Sequence, residues 1–565
     1  MKDILTHDEL KAILLDAGVV EEKDIELAEE RFRSEGGTFS EAVLWYNLVS
    51  DEELGKLMAD ALKFPFVVLE QKTIVREVLQ IVPEVVAKKN RVIAFALDGE
   101  GLHIAMTDPR DVEMRNFFEK KMGVPVRVYL AMERDMENAL TLYRAGVTEA
   151  FENIILADIK EAEKGKGKID PPIIRIVDIL LSYAYQNRAS DIHLEPRDKD
   201  MLVRFRIDGV LHDIVKLPFD LHPQIISRIK VLAKLRIDEH QVPQDGKIHF
   251  PLEQGEELDV RVSIIPTTEG EKVVLRLLSE RSRQFSLTNL GFSPAALDLV
   301  KEAYEKPYGM ILVTGPTGCG KTTTLYSMLK LLNRRNVNIV TIEDPVEYDM
   351  EGVSQIQVNP DAQLTFATGL RSILRQDPNV ILVGEIRDKE TADIAVNLAM
   401  TGHLVLSTLH TNNAATSIPR LIDMNIEPFL IASTTNIIVA QRLVRKIHVA
   451  CRGSEEVPSM ELSARVGAVF FEKLFGKPEE GKNIRLYRGK GCDACHSTGY
   501  EGRMGIFEVL ILDDTIRQAI VERKDASAIE ALATAAGMQT MFEDGLAKVQ
   551  AGLTTIDEIM RVTKE

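Results

Sequence analysis

The chain has 565 residues, with 69 basic against 87 acidic side chains and a net charge of −18. A single hydrophobic core stops growing near ~250–300 residues, so several domains are expected. With 45% hydrophobic and 28% charged residues, the composition excludes collagen-like, low-complexity and wholly disordered chains, and the acidic balance argues against a nucleic-acid partner. The four cysteines, Cys319, Cys451, Cys492 and Cys495, are too few for a disulfide framework and suit a reducing compartment. The opening MKDILTHDEL carries acids where a signal peptide needs an apolar run. The uncharged stretch from Ile394 to Pro419 contains His403, Ser407, Thr408, His410, Asn412 and Asn413, which suits a buried strand and loop and not a bilayer span. A cytoplasmic protein is expected, one that meets any membrane only through partners.

Residues 1–65 form amphipathic helices with a weak repeat at an offset of 29. Leu10, Leu14, Leu15, Val19, Val20 and Ile25 align with Phe39, Val43, Leu44, Leu48, Val49 and Leu54, as two similar hairpins packed on each other would require. Residues 66–145 mix helix with strands at RVIAFAL (91–97), GLHIAMT (101–107) and VRVYLA (126–131). A linker is expected over 146–172, where EAEKGKGKIDPP (161–172) combines Lys, Gly and paired prolines. Residues 173–282 hold a helix and then strands. Two of these, MLVRFRIDG (201–209) and LDVRVSIIP (258–266), alternate apolar and charged residues, so one face of each is polar. A connector over 283–292 leads into 293–565, where strands alternate with helices as in a parallel sheet flanked by helices. The fold class is α/β and multidomain.

ILVTGPTGCGKTTTLYSML (311–329) carries the strongest signal. Gly315, Gly320, Lys321 and Thr322 satisfy G-x-x-x-x-G-K-[ST] between an apolar strand and a helix. Backbone N–H groups of Gly315, Pro316, Thr317, Gly318, Cys319, Gly320, Lys321, Thr322 and Thr323 (proline excepted) and the helix N-terminus suit phosphate oxygens. Lys321 would reach the outer phosphates and the Thr322 hydroxyl would ligate Mg²⁺. NVILVGEIRD (379–388) is a strand ending in Glu385, placed to orient an attacking water. The Asp that often precedes such a Glu is here Gly384, so another acid must serve the metal. TIEDPVEY (341–348) offers Glu343, Asp344 and Glu347 at a strand's C-terminal end. TGHLVLSTLHT (401–411) sets His403 and His410 on an apolar strand; without a nearby CxxC or HExxH pattern, metal is the poorer reading of that pair.

Together GPTGCGKTTTLY, TIEDPVEY, LRQDPNVILVGEIRDKETADIA and TGHLVLSTLHTN resemble the secretion ATPase superfamily, and within it the type IV pilus assembly and type II secretion ATPases. ASDIHLEP (189–196), RFRIDG (204–209), PQDGKI (243–248) and GCDACHSTGYEGRMGIFE (491–508) extend the resemblance over roughly 170–565. It implies a PAS-like α+β domain at 173–282, a RecA-like ATPase domain at 293–565 and an N-terminal α+β regulatory region. It also implies ATP in the loop, Mg²⁺ held by Thr322 and Glu343, Glu385 as the catalytic carboxylate, and His403 and His410 sensing the γ-phosphate. Arg261 and Arg276, and a second pair, Arg371 and Arg375, match arginines that serve the phosphates, the first pair from across a subunit boundary. Six copies would form a ring acting on an inner-membrane platform protein.

The family's extension motors carry zinc on two CxxC pairs. Cys492 and Cys495 match the second pair, while His448 with Cys451 stands at the first. Three thiolates and one imidazole still make a tetrahedral Zn²⁺ set, expected to staple an insert at about 446–503. Some N-terminal regions of the family bind cyclic di-GMP through a repeated R-L-G-x-x-L-L-x-x-G pattern. Here Glu9 and Lys11 replace Arg and Gly in the first copy, where Gly18 remains, and Thr38, Ser40 and Asn47 replace Arg and both glycines in the second. Loss of the guanidinium and of the close-approach glycines argues against that ligand and for partner docking. The resulting expectation is a cytoplasmic hexameric ATPase driving pilus extension. The type II secretion motor is the near alternative, and a non-hydrolysing ATP-binding scaffold the distant one.

Overall fold

The structure, a computed structural model, describes residues 4–20, 22–35, 38–45, 48–69, 72, 74–140, 143, 171–252, 257–278, 287–492, 495 and 497–563. The chain divides into two compact units. The first comprises 1–160 with 448–454 and 489–499, and the second 161–447, 455–488 and 500–565.

The first unit opens with helices His7–Asp16, Glu22–Glu35, Phe39–Trp45 and Asp51–Leu62. Thr6 with Glu9, and Ser50 with Glu53, close capping boxes that satisfy the first N–H groups of their helices. Leu10, Leu14, Ile25, Phe39, Val43, Val49 and Leu54 share one core, so the repeat at offset 29 is a packing repeat; Val19 alone of its members is well exposed. Strands β1 (Val92–Asp98), β2 (Gly101–Met106) and β3 (Val126–Leu130) fall where the sequence predicts them. β1 runs antiparallel to β2, and β2 parallel to β3.

In the second unit, the helix Pro171–Gln186 starts on its two prolines, which lack N–H groups that a first turn leaves unused anyway. The last two residues of the expected linker are therefore helical, and 146–170 lie outside the described residues. Next comes an antiparallel sheet of six strands: β4 (Asp191–Pro196), β5 (Asp200–Ile207), β6 (Val210–Pro218), β7 (Gln244–Pro251), β8 (Glu257–Thr267) and β9 (Gly270–Leu278), ordered β6-β5-β4-β9-β8-β7. A second helix, His222–Leu232, lies between β6 and β7 in the chain. Most of the expected connector lies outside the described residues, apart from one 3₁₀ turn at Leu287–Leu290 and the residues just after it.

A seven-stranded sheet follows: β10 (Gly309–Thr314), β11 (Ile339–Glu343), β12 (Ser354–Gln357), β13 (Val380–Val383), β14 (Leu404–Leu409), β15 (Thr435–Ile447) and, after a short pair β16 (Arg452–Pro458) and β17 (Asn483–Gly489), β18 (Tyr500–Ile511). Its order is β12-β11-β13-β14-β10-β15-β18. All neighbours are parallel except β18 on β15. Parallel strands covered on both faces are apolar throughout. Leu312, Ile381 and Val405 accordingly enter one core, while Ile311, Leu382 and Leu406 enter the other.

The expected zinc-stapled insert does not stand apart. Leu462, Val466, Phe471 and Leu486 share the core that holds Leu546 and Ile559, so most of 455–488 is part of the ATPase body. Glu558, on the C-terminal helix Ile556–Thr563, binds Arg445 (2.6 Å) and Arg561 (2.7 Å). Burial opposes its charge, but these two arginines prevail and hold its carboxyl down at about 2. Such a pair contributes stability above the ordinary carboxylate range near pH ~4.3 and loses it as pH falls toward 2. Glu558→Gln should lower the denaturation midpoint at pH 7, by an amount equivalent to about 3 kcal/mol. It should also flatten the acid dependence below pH 4.5, as followed by fluorescence.

Candidate nucleotide site and metal centre

Parallel pairing sets the site. Thr314 is in register with Leu409, Val383 with Ser407, and Ile342 with Val383. The residues just past these strand ends, Gly315, Glu385 and His410, therefore gather with Glu343 along one edge of the sheet, where α/β folds take ligands. Gly315 and Gly320 have positive φ. A Cβ on Gly315 would lie 2.5 Å from the Gln441 carbonyl oxygen, so only glycine lets the loop turn against β15. Lys321 opens the helix Lys321–Leu332 and donates to the carbonyls of Gly315 (2.8 Å) and Pro316 (3.0 Å). Burial lowers its ammonium below the usual lysine range, against the support of Cys319 and the Glu385 charge. The Cys319 thiol is pushed up by burial.

Gln441 was not among the residues expected to matter. On β15 it donates to the Cys319 carbonyl (2.7 Å) and accepts from the Thr324 hydroxyl (2.8 Å), bracing the loop where it enters the helix. The clue is a buried amide inside the apolar run of β15, since a buried polar group needs partners. Arg442 beside it is also buried and adds positive charge near Lys321.

Glu385 is largely buried and meets His410 Nε2 at 3.1 Å and the Arg387 guanidinium. Glu343 is buried, and its oxygens accept from the Tyr326 hydroxyl and the Thr341 hydroxyl (2.6 Å), with Gln355 Nε2 at 3.4 Å. Burial, followed by the Glu343 charge, drives the Tyr326 phenol strongly upward. Its carboxylate is thereby tied to the helix that also carries Thr322, one turn before Tyr326. At Gly384 a Cβ would lie 3.2 Å from the Glu343 Cα. Close passage of β11 and β13 thus makes a side chain tight at this position.

The histidines do not meet. Strand β14 covers Leu404–Leu409, so His403 precedes it and His410 follows it. His403 is held at the Leu398 carbonyl (3.0 Å), and its own carbonyl accepts from Gly309 N at the start of β10. Seven steps of strand separate the two by ~23 Å. Within the chain only His410 is at the loop's edge; His403 stands at the other end of the same strand.

Arg261 and Arg276 are directly opposite on β8 and β9. Pairing continues the row through Asp191 and Arg206 on one side and Lys247 on the other. Arg276 binds Asp191 at 3.0 Å. Arg261 donates to the Val346 carbonyl (2.7 Å) and pairs with Glu347 (3.0 Å), in the acidic turn of its own chain. Four cations against Asp191 and Glu347 leave a net positive face that favours anions. Arg371 pairs with Glu390, and Arg375 donates to the Arg371 carbonyl; both are exposed, and no hydrogen bond among the described residues joins either to the loop.

His448, Cys451, Cys492 and Cys495 come together with all ligand atoms within 4.8 Å. Cys451 Sγ and Cys492 Sγ lie 3.9 and 3.7 Å from Cys495 Sγ, and His448 Nδ1 lies 3.3 Å from Cys492 Sγ. A tetrahedral zinc ion with ~2.3 Å sulfur and ~2.0 Å nitrogen bonds puts such atoms ~3.6–3.8 Å apart; the donor set fits that ion, and the sulfurs are far from disulfide distance. Burial opposes the Cys495 thiolate, yet N–H groups of Cys492 and Gly499, each 3.2 Å from the sulfur, prevail and lower its pKa. His496 lies outside the described residues.

Residues 166–561 match the type II/IV secretion system protein family, and 62–150 match the MshEN domain. The chain is 37% identical over 562 residues to the type IV pilus assembly ATPase PilB of Myxococcus xanthus, covering 98% of each chain. It is 40% identical over 565 residues to the type II secretion system protein E of Xanthomonas campestris, covering 96% of each. The ATPase DotB of Yersinia pseudotuberculosis shares the fold, with a TM-score of 0.51 at 20% identity over 69% of this chain and 93% of its own.

Elemental analysis of protein purified without added metal should find one zinc per chain. Cys492→Ser, Cys451→Ser and His448→Ala should each lose it. Full retention in both His448→Ala and Cys451→Ser would reduce the centre to its second cysteine pair.

Proposed function

The chain belongs to the type II/IV secretion system ATPase family and is an ATP-hydrolysing enzyme; from that premise we propose that it is the motor of type IV pilus assembly, working as a hexamer on an inner-membrane platform protein. The observation that carries the chemistry is the shared edge of Lys321, Glu385 and His410 beyond the C-terminal ends of parallel strands. Near-complete coverage of a pilus assembly ATPase supports the pilus. Equally complete coverage of a type II secretion ATPase supports the secretion motor as the second reading.

ATP lies in the loop 315–323, its phosphates on the backbone N–H groups and Lys321. Glu385, oriented by His410 and Arg387, accepts the proton of the attacking water. The Thr322 hydroxyl would hold Mg²⁺, which neutralises phosphate charge when bound. Glu343 is a positioning residue that fixes the helix bearing Thr322. Arg261, on the anion-favouring face of β8, supplies transition-state charge once it leaves Glu347. Arg276 stands beside it, and Arg371 and Arg375 remain a second basic pair for the phosphates. No tight cyclic di-GMP binding is proposed for 1–145. Glu9 closes a helix cap with Thr6, and Thr38 shares reciprocal bonds with Glu41, so both serve the local fold.

Lys321→Ala should abolish nucleotide binding, whereas Glu385→Gln should bind ATP and turn over roughly 10²–10⁴-fold more slowly. His410→Ala should resemble Glu385→Gln, and His403→Ala should stay within threefold of wild type. Phosphate release measured on all four checks the assignments; wild-type turnover by Glu385→Gln would refute the catalytic role. In the host, replacing the chain with its Glu385→Gln form should abolish surface pili. Intact pili with blocked protein secretion would select the second reading.

A further inference from the structure

Arg134 lies on the helix Glu133–Leu140, and it holds the chain on both sides of a metal ligand. Its Nε donates to the Ala450 carbonyl (2.5 Å) and its Nη2 to the Arg452 carbonyl (3.0 Å). Its Nη1 pairs with Asp51 Oδ2 at 2.9 Å. Ala450 and Arg452 flank Cys451, and Asp51 opens the helix Asp51–Leu62, whose cap is Ser50. One guanidinium therefore joins three pieces of the first unit: the helical hairpins, the α/β portion and the ligand turn.

We propose that Arg134 is a metal-dependent latch. It docks the N-terminal region onto the His448–Cys451 turn only when that turn is held by its metal; the inference rests on the metal reading above. A planar fork with fixed donors needs two carbonyls at fixed separation and direction. The carbonyls of Ala450 and Arg452 straddle the 3₁₀ turn Val449–Cys451. That turn is short and irregular, and its outward carbonyl pair is fixed by where the Cys451 thiolate and His448 imidazole are tied. On its other side the ligand segment is backed by a crossing of Gly489 and Gly499, where a Cβ on either would strike the other's carbonyl oxygen, at 1.9 and 2.6 Å. With the metal bound, the carbonyls meet Arg134; without it, the turn keeps its backbone bonds, among them His448 N to the Gly499 carbonyl (2.9 Å) and Lys490 N to the Cys451 carbonyl (2.8 Å), but loses the tie between its two ligand side chains. Strand β15, which carries Gln441 under the phosphate loop, runs directly into His448. The latch thus acts on a segment continuous with the strand that braces the nucleotide loop.

Hydrogen exchange on the full-length, metal-loaded chain tests this. Segments 51–62 and 133–140 are followed before and after a chelator strips the metal, with zinc content measured in parallel. In the wild type, stripping should speed exchange in 133–140 by roughly tenfold, as loss of charge-assisted hydrogen bonds requires. Arg134→Gln should keep its zinc, start at the faster rate and gain nothing further from the chelator. Arg134→Lys, which cannot fork across two carbonyls, should fall between. Strand β13 should be unaffected throughout, which separates undocking from general unfolding. Zinc loss without faster exchange in 133–140, or an Arg134→Gln variant that still responds to the chelator, would overturn the latch alone. A chain that takes up no zinc would overturn the metal reading, and the latch with it.

Discussion

The parallel register of β13, β14 and β10 is the constraint on which the site depends. Because these strands run the same way and end level, the phosphate loop, Glu385 and His410 have no other place to go. The same register sends His403 to the opposite edge. Chemistry at one edge and structure at the other follow from strand direction before any side chain is considered. The loop still needs a floor, and Gln441 supplies it by bonding the Cys319 carbonyl and the Thr324 hydroxyl.

Much of this is legible in the amino-acid order. The loop 315–322 is contiguous, and its glycines, lysine and threonine sit between an apolar strand and a helix, so local spacing is enough. The strands of the first unit also follow from short apolar runs, the first two joined by the turn Asp98–Gly101. What is illegible depends on contacts distant in sequence. Glu343 resembles a free strand-end acid until Tyr326, seventeen residues earlier, occupies its oxygen. Gly384 resembles a lost metal ligand until the neighbouring strand is seen to pass so close that a Cβ would be tight there. His403 and His410 seem paired because the eye reads them as neighbours, although an extended strand of six residues lies between them.

The metal ligands show the opposite case. Their identities are readable from spacing, including the histidine in place of a cysteine, but their allegiance is not. The chain between the two ligand pairs packs into the ATPase core through Leu462, Phe471 and Leu486. The ligand turns themselves group with the N-terminal region. An insert that looks self-contained is thus shared between two bodies, a division set by packing and by the Arg134 fork and by no local motif.

The central claim is that one nucleotide site is built by the C-terminal edge of the parallel sheet. The most direct measurement is an experimental structure of the chain with a non-hydrolysable ATP analogue and Mg²⁺. The account predicts the terminal phosphate between Lys321 and Glu385, His410 beside it, Glu343 still bonded to Tyr326, and His403 remote. A terminal phosphate contacting His403, or Glu343 released from Tyr326 to ligate the metal directly, would contradict it.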